Sequence, residues 1–165
     1  MKKLAKLQYA NHYDEYFPTI TLDKFSKEIY LNDSKIVKTI VWDISGQESY
    51  LKSILKLKSE IEGIILVFDV TNRKSFDNLD GWITLIKENC KNPIIILFAN
   101  KDCEYLNNCK VTEEEIDSFC EKNKLKYFRT SAKLDIGIYE GFPYIVNKIY
   151  DKRKIYNEVI NLKLK

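Results

Sequence analysis

The sequence predicts an α/β domain of three layers, in which helices cover both faces of a mostly parallel β-sheet. Two continuous apolar runs, 63–70 and 93–99, have the composition of strands that are buried on both faces. A segment with helical spacing, 75–90, lies between them, and this alternation is typical of parallel sheets. A hairpin earlier in the chain adds one antiparallel strand to the prediction. With 165 residues, the chain is long enough for one domain with a substantial core.

The first part of the chain is predicted to form a short helix and then a hairpin. Apolar residues recur at helical spacing over 2–10. Residues 20–31 and 34–42 have the composition of two strands, and the turn residues 32–34 join them. Residues 47–60 are predicted to be a loop that runs into an irregular helix.

The second part alternates helices and strands. Ser75 is the expected N-cap of the helix over 75–90. Residues 112–115 have the pattern of a capping box that opens a helix to about Lys122. Residues 126–129 are a short strand, and a long amphipathic helix begins at Ile138.

Composition excludes several classes of protein. The net charge of +3 is too small to predict a nucleic-acid partner. No apolar run approaches the roughly 20 residues that span a bilayer, and the start of the chain lacks the apolar segment of a signal peptide. The four cysteines and one histidine lack the spacing of a zinc site, so we expect reduced thiols in a cytoplasmic protein.

Polar side chains follow the predicted strands at the points where those strands end. Asp43, Asp69, Asn100 and Ser131 each come directly after an apolar or alternating run. Ligands of α/β sheets bind beyond the carboxyl ends of the strands. The sequence therefore predicts that these four residues surround one site.

The stretch after the second hairpin strand carries the most specific pattern. It reads Trp42-Asp43-Ile44-Ser45-Gly46-Gln47-Glu48, so a strand delivers a carboxylate, a glycine allows close approach of backbone to a ligand, and an amide can hold a water. This stretch resembles the Asp-x-x-Gly-Gln box of Ras-superfamily small GTPases, and it is most similar to the Rab branch. The resemblance spans about residues 4–150 of a single domain over 1–165, and 151–165 is the end of the last helix with a basic tail.

The resemblance implies a site for Mg²⁺ and the phosphates of GTP or GDP. Thr19, in a segment similar to the family's switch I, would bind Mg²⁺ and the terminal phosphate. Asp43 would hold Mg²⁺ through water, and Gly46 would donate its backbone N–H to that phosphate. Gln47 would be the catalytic residue that orients the attacking water.

The resemblance also implies a guanine site. Asn100-Lys101-Asp102 is similar to the Asn-Lys-x-Asp box, except that Asp102 comes one residue early and Cys103 occupies the family's aspartate position. Asn100 would brace the loops and Lys101 would lie over the base. Either the loop adjusts so that Asp102 still accepts from guanine, or guanine specificity is weakened. Ser131, Ala132 and Lys133 match the last box, whose backbone N–H groups meet the guanine oxygen.

One family feature does not occur among the 165 residues: the phosphate loop Gly-x-x-x-x-Gly-Lys-Ser/Thr, together with the strand before it. The expected fold is therefore a small-GTPase fold without its first strand. In the family that strand lies between those that correspond to 34–42 and 63–70. We expect these two strands either to pair directly or to leave a slot.

Three interpretations stay open. The first is a GTP-hydrolysing switch in vesicle trafficking that binds effector or regulatory proteins through 16–25 and 42–58. The second is a non-enzymatic relative that binds a protein partner, which the missing loop favours for the residues as written. The third is a sequence whose full-length form carries the loop. No cysteine follows Cys120, so no prenylation site is predicted, and any endomembrane association would be peripheral.

Overall fold

The computed structural model of the protein describes residues 23–31, 35–44, 61–101 and 108–163. These residues form five strands: β1 Asp23–Tyr30, β2 Ile36–Asp43, β3 Gly63–Asp69, β4 Ile94–Asn100 and β5 Lys126–Thr130. They also form four helices: α1 Arg73–Asp77, α2 Leu79–Asn89, α3 Glu113–Asn123 and α4 Ile138–Lys163. The predicted helix over 2–10, the turn 32–34 and the segment 47–60 lie outside the described residues.

The strands belong to two sheets. β3, β4 and β5 form a parallel sheet in that order, and β1 and β2 form an antiparallel pair. Helices flank the parallel sheet, so the predicted α/β class is confirmed. Of the two expectations for β2 and β3, direct pairing is wrong, because neither strand has the other as a ladder partner in the described part of the chain.

The long helix α4 connects the two sheets by packing. Ile29 and Leu31 at the end of β1 are buried in one cluster with Phe142 and Ile145 of α4. Farther along the helix, Lys35 Nζ donates to the Tyr150 hydroxyl at 2.9 Å. The hairpin therefore rests on α4 through side chains, and no backbone bond between described residues joins it to the parallel sheet.

Two apolar cores lie on opposite faces of the parallel sheet. Leu66 and Phe68 of β3 pack with α1, α2 and α3, whereas Ile65 of the same strand packs towards α4. Successive side chains of a strand point to opposite faces, which explains the division. β4 is buried almost completely, with Leu97 at 0% and Phe98 at 1% exposure, as expected for the central strand of a covered sheet.

The predicted helix over 75–90 is interrupted. α1 ends at Asp77 and α2 begins at Leu79, and Asn78 lies between them. The prediction of Ser75 as N-cap is wrong, because Ser75 lies inside α1 and Asn72 occupies the cap position. The Ser75 hydroxyl instead bonds to the backbone of Asp69 at the end of β3. The preference of serine for helix caps does not predict this contact.

The predicted capping box is confirmed. The Thr112 hydroxyl accepts from the Glu115 backbone N–H at 3.3 Å, and the Glu115 carboxylate accepts from the Thr112 N–H at 2.9 Å. α3 ends at Asn123, and its C-cap Lys124 has a left-handed backbone with φ of 55°. Both ends of α3 thus follow from local chemistry.

Glycines allow α4 to begin close to the sheet. Gly137 has φ of +70°, and a Cβ there would lie 3.0 Å from the backbone carbon of Arg129. One turn later, a Cβ on Gly141 would lie 2.7 Å from Phe98 Cζ and 3.1 Å from Phe128 Cδ2. No larger residue fits either position without displacement of the sheet.

The expectation that all cysteines are reduced thiols is wrong for Cys109, which is disulfide-bonded. Cys90 and Cys120 are thiols. Cys120 is buried, and this burial, together with the nearby Asp117 carboxylate, raises the pKa of its thiol to about 11. Cys120 therefore stays protonated and unreactive at neutral pH.

Candidate functional site

The carboxyl ends of the three parallel strands lie at one level. Asp69, the last residue of β3, is in register with Asn100, the last residue of β4. Asn100 is in register with Thr130, and Ser131 follows directly. Asp69, Asn100 and Ser131, three of the four residues predicted to surround one site, therefore lie at one edge of the parallel sheet.

A side-chain bond joins the loops after β4 and β5. The Ala132 backbone N–H donates to Asn100 Oδ1 at 3.4 Å, a long hydrogen bond. Beneath it, the Thr130 hydroxyl donates to the Ala99 carbonyl at 3.4 Å. The asparagine thus connects two chain segments that are distant in sequence.

The loop after β5 is closed by its own bonds. Ser131 and Ile136 exchange backbone hydrogen bonds of 3.0 and 3.1 Å. The Ser131 hydroxyl accepts from the Leu134 N–H at 3.1 Å. Lys133, between them, is exposed. The tetrapeptide ending at Lys133 is thereby held as a compact turn at the sheet edge.

An ion pair crosses the site between β3 and β4. Lys101 Nζ lies 2.5 Å from Asp69 Oδ2. Asp69 Oδ1 accepts from the Thr71 backbone N–H at 2.9 Å and from the Thr71 hydroxyl at 2.6 Å. Partial burial acts to raise the pKa of the Asp69 carboxyl, but Lys101 and Thr71 outweigh it and hold that pKa below its ordinary value. Asp69 is therefore an anion at neutral pH.

The backbone at this edge has specific requirements. Lys101 has φ of 66°, a left-handed conformation that is uncommon for residues with a Cβ. The Ser75 hydroxyl accepts from the Asp69 N–H at 3.0 Å and lies 3.0 Å from the Asp69 carbonyl. These bonds fix the end of β3, which positions the Asp69 carboxylate towards Lys101.

The structure describes only some of the predicted site residues. Asn100, Lys101, Ser131, Ala132 and Lys133 all lie at the edge of the parallel sheet. Asp43 is the half-buried last residue of β2, in the separate hairpin sheet. The remaining predictions lie outside the described residues, and these are Thr19, Gly46, Gln47 and Asp102.

Sequence reasoning missed the partnership of Asp69 with Lys101. Asp69 was expected only as a strand-end residue, and Lys101 only as a residue over a base. Both follow neighbouring parallel strands, so their proximity could have been inferred from the strand ends, given the pairing of β3 with β4.

Other kinds of site receive no support within the described ranges. No group of three or more His, Cys, Asp or Glu side chains there is arranged to hold a metal ion. None of the helices in that part of the chain is long and apolar enough to cross a membrane.

Comparison with known sequences decides the family. A profile of the Ras family matches residues 4–151, nearly the whole chain. The protein belongs to the Ras family. Its relatives include Ras-related protein Rab-13 of Bos taurus, with 32% identity over 84% of this chain and 68% of that protein. The protein is therefore a Rab-like small GTPase by descent.

Other relatives are also Rab proteins. Ras-related protein Rab-39A of Homo sapiens is 30% identical over 81% of this chain and 62% of its own length. Ras-related protein Rab11A of Lotus japonicus is 32% identical over 78% of this chain and 57% of its own. The chain spans about two thirds of the length of the relatives it matches.

Members of this family bind GTP or GDP with Mg²⁺. Asn100, Lys101 and the loop at Ser131–Lys133 are the described residues that could hold the base side of such a ligand. Asp43 supplies the kind of ligand that Mg²⁺ takes, since Mg²⁺ keeps several waters and binds one or two carboxylates. Bound Mg²⁺ would supply charge neutralisation at the phosphates.

Proposed function

We propose that this Rab-like protein is a GTP-binding switch that hydrolyses GTP and recruits effector or regulatory proteins in vesicle trafficking. The observation that supports it best is the Asn100–Ala132 hydrogen bond, which joins the two loops that would enclose a guanine base. A structural loop would not need an asparagine that bridges to a second loop. In this proposal, Lys101 covers one face of the base, and Ala132 and Lys133 would supply backbone donors to its oxygen, since the Ser131 N–H is bound to the Ile136 carbonyl.

The catalytic and metal-binding parts rest on family resemblance. Gln47 would orient the attacking water, Gly46 would contact the terminal phosphate, and Thr19 with Asp43 would hold Mg²⁺. Asp102 would accept from the base. Effectors and regulators would bind over 16–25 and 42–58. The protein would act in the cytoplasm, peripheral to endomembranes through its partners.

A second candidate is a non-enzymatic interaction module. The ion pair between Lys101 and Asp69 favours it, because the lysine is already engaged and would have to reorganise to cover a base. Cys103, at the position where the family has its base-reading aspartate, favours it as well. Such a protein would keep the switch surfaces and lose nucleotide affinity.

Titration with fluorescent GDP and GTP in the presence of Mg²⁺ separates the two candidates. The switch predicts saturable binding at concentrations below about 100 μM and competition by GTP but not by ATP. We expect Asn100→Ala to weaken this binding at least about 10-fold, because the two base loops lose their connection. Asn89→Ala is the matched control, since the Asn89 amide bonds within α2 at the other edge of the sheet.

An absence of saturable binding would favour the interaction module. In that case the intact mass of the native protein is informative, because it shows whether residues precede Met1. Equal weakening by Asn100→Ala and Asn89→Ala would contradict the assignment of Asn100 to the base site. If nucleotide binds, Gln47→Leu is expected to slow single-turnover GTP hydrolysis with little change in affinity.

A further inference from the structure

A second concave region lies at the opposite edge of the parallel sheet from the candidate nucleotide site. Here β4 and β5 begin, α2 and α3 end, and α4 passes alongside. The cleft has a volume of about 570 Å³, within the range of sites that hold small organic molecules. We call it the basal cleft. All of its lining residues are described, and none belongs to the family's nucleotide boxes.

Apolar side chains form part of the walls of the basal cleft. Ile86 and Ile96 are buried, and Ile94, Leu125 and Tyr144 are half-buried along its lining. Partly exposed apolar surface of this kind gains free energy when a ligand covers it, by roughly 25 cal/mol per Å². The cleft therefore favours a ligand with an apolar body.

The rim of the basal cleft is cationic. Four exposed lysines line it, Lys87, Lys124, Lys126 and Lys148, and no acidic residue does. None of the four forms an ion pair with a described residue. Lys126 and Lys148 instead lie over the rings of Phe128 and Tyr144, at 5.9 and 5.7 Å from the centroids.

The ends of two helices account for only part of this charge. The carboxyl ends of α2 and α3 lie at the cleft, and each helix end is equivalent to about half a negative charge. Their last carbonyls already accept backbone bonds, as the 2.8 Å bond from Cys90 to Ile86 and the 2.9 Å bond from Leu125 to Cys120 show. Four lysines against two helix ends leave an excess of about three positive charges.

We propose that the basal cleft binds a small amphipathic organic anion, with a flat or short apolar body and one carboxylate, phosphate or sulfonate group. The apolar body would lie against Ile94, Leu125 and Tyr144. The acidic group would lie among the rim lysines, where ionised partners make stronger hydrogen bonds than neutral ones. The proposal is independent of nucleotide binding, because the cleft and the nucleotide edge are at opposite ends of the strands.

The test uses 2-naphthoate as the probe and 2-naphthamide as its neutral analogue. Amide resonances of the isotopically labelled protein are followed by NMR during each titration. We expect naphthoate to shift the signals of Asn92, Lys124, Leu125 and Lys126 saturably, and naphthamide to bind at least about 10-fold more weakly. Inorganic phosphate alone is expected to bind more weakly than naphthoate, because it cannot use the apolar wall.

The variant for this test is the double substitution Lys124→Gln with Lys148→Gln. It is expected to weaken naphthoate binding at least about 10-fold and to leave the far-ultraviolet spectrum unchanged, since both side chains are exposed. The matched control is Lys74→Gln with Lys110→Gln, two exposed lysines that do not line the cleft. The control is expected to bind naphthoate as the parent protein does.

Three results would overturn the proposal. The first is equal affinity for naphthoate and naphthamide, and the second is a set of shifts spread over the whole protein. The third is binding to phosphatidylserine vesicles, but not phosphatidylcholine vesicles, that depends on Lys124 and Lys148 without saturable naphthoate binding. That result would assign the lysines to a membrane surface.

Discussion

The parallel sheet and the hairpin differ in how their positions are determined. β3, β4 and β5 share backbone ladders, so the polar residues at their ends are placed relative to one another by register. The hairpin holds its own ladder but contacts the rest of the described chain through side chains on α4. The base side of the candidate site is thus determined by backbone pairing, whereas Asp43 depends on side-chain packing.

The largest expected difference comes from the same substitution made in each region. Leu97→Ala removes a fully buried side chain of β4 and is expected to lower the free energy of unfolding by about 3–5 kcal/mol. Leu31→Ala, at the end of the hairpin, should lower it by about 2 kcal/mol or less. Urea unfolding followed by circular dichroism measures both.

Hydrogen exchange sharpens this comparison. Leu31→Ala is expected to lose amide protection within β1 and β2 while β3, β4 and β5 keep theirs, because no described ladder joins the two sheets. Equal losses of global stability, or loss of protection in all five strands, would show that the two sheets unfold as one unit.

The next prediction, in order of size, tests the close packing of α4 against the parallel sheet. Gly141→Ala is expected to destabilise the protein by about 1–3 kcal/mol, because a Cβ there meets Phe98 and Phe128. Gly81→Ala, in α2 with open space around it, should stabilise by about 0.5–1 kcal/mol. Thermal unfolding of the two variants checks the signs. A stabilising Gly141→Ala would contradict the close contact of α4 with β4.

The smallest expected effect concerns the pH dependence of the parallel-sheet edge. The pKa of Asp69 is lower in the folded than in the unfolded protein, so its contribution to stability is present above about pH 4 and is lost as pH falls through the folded pKa. Asp69→Asn should therefore lower the melting temperature at pH 7 and have little effect at the acid end.

Asp80→Asn is the control for this prediction. Its carboxylate lies 3.2 Å from Lys122 Nζ but is exposed, and exposed pairs contribute little. If Asp69→Asn lowers the melting temperature equally at pH 7 and pH 3, the loss of stability comes from changed packing or hydrogen-bond geometry and not from the lost charge.

The sequence predicted the elements whose signals are local. The capping box at Thr112 and the two apolar runs depend on short-range chemistry and on burial of both faces. The strand-end position of Asn100 followed from the second of these runs. The structure agrees with these local preferences, and the Glu115 carboxylate of the capping box also pairs with Arg73.

The prediction of Ser75 as N-cap failed because a contact outside the helix pattern decided the outcome. Ser75 was expected to cap a helix, but the end of β3 competes for its hydroxyl. The ion pair of Lys101 with Asp69 was missed for a different reason, because it becomes visible only when β3 and β4 are known to be adjacent.

The seat of the hairpin on α4 has a consequence for synthesis of the chain. The surface that buries Ile29 and Leu31 is made by residues near 142–146, which leave the ribosome more than a hundred positions later. Until then the apolar face of the hairpin is exposed to solvent, and the nascent chain must be kept from associating with other chains through that face. The hairpin can therefore bury its apolar face only after α4 has been synthesised.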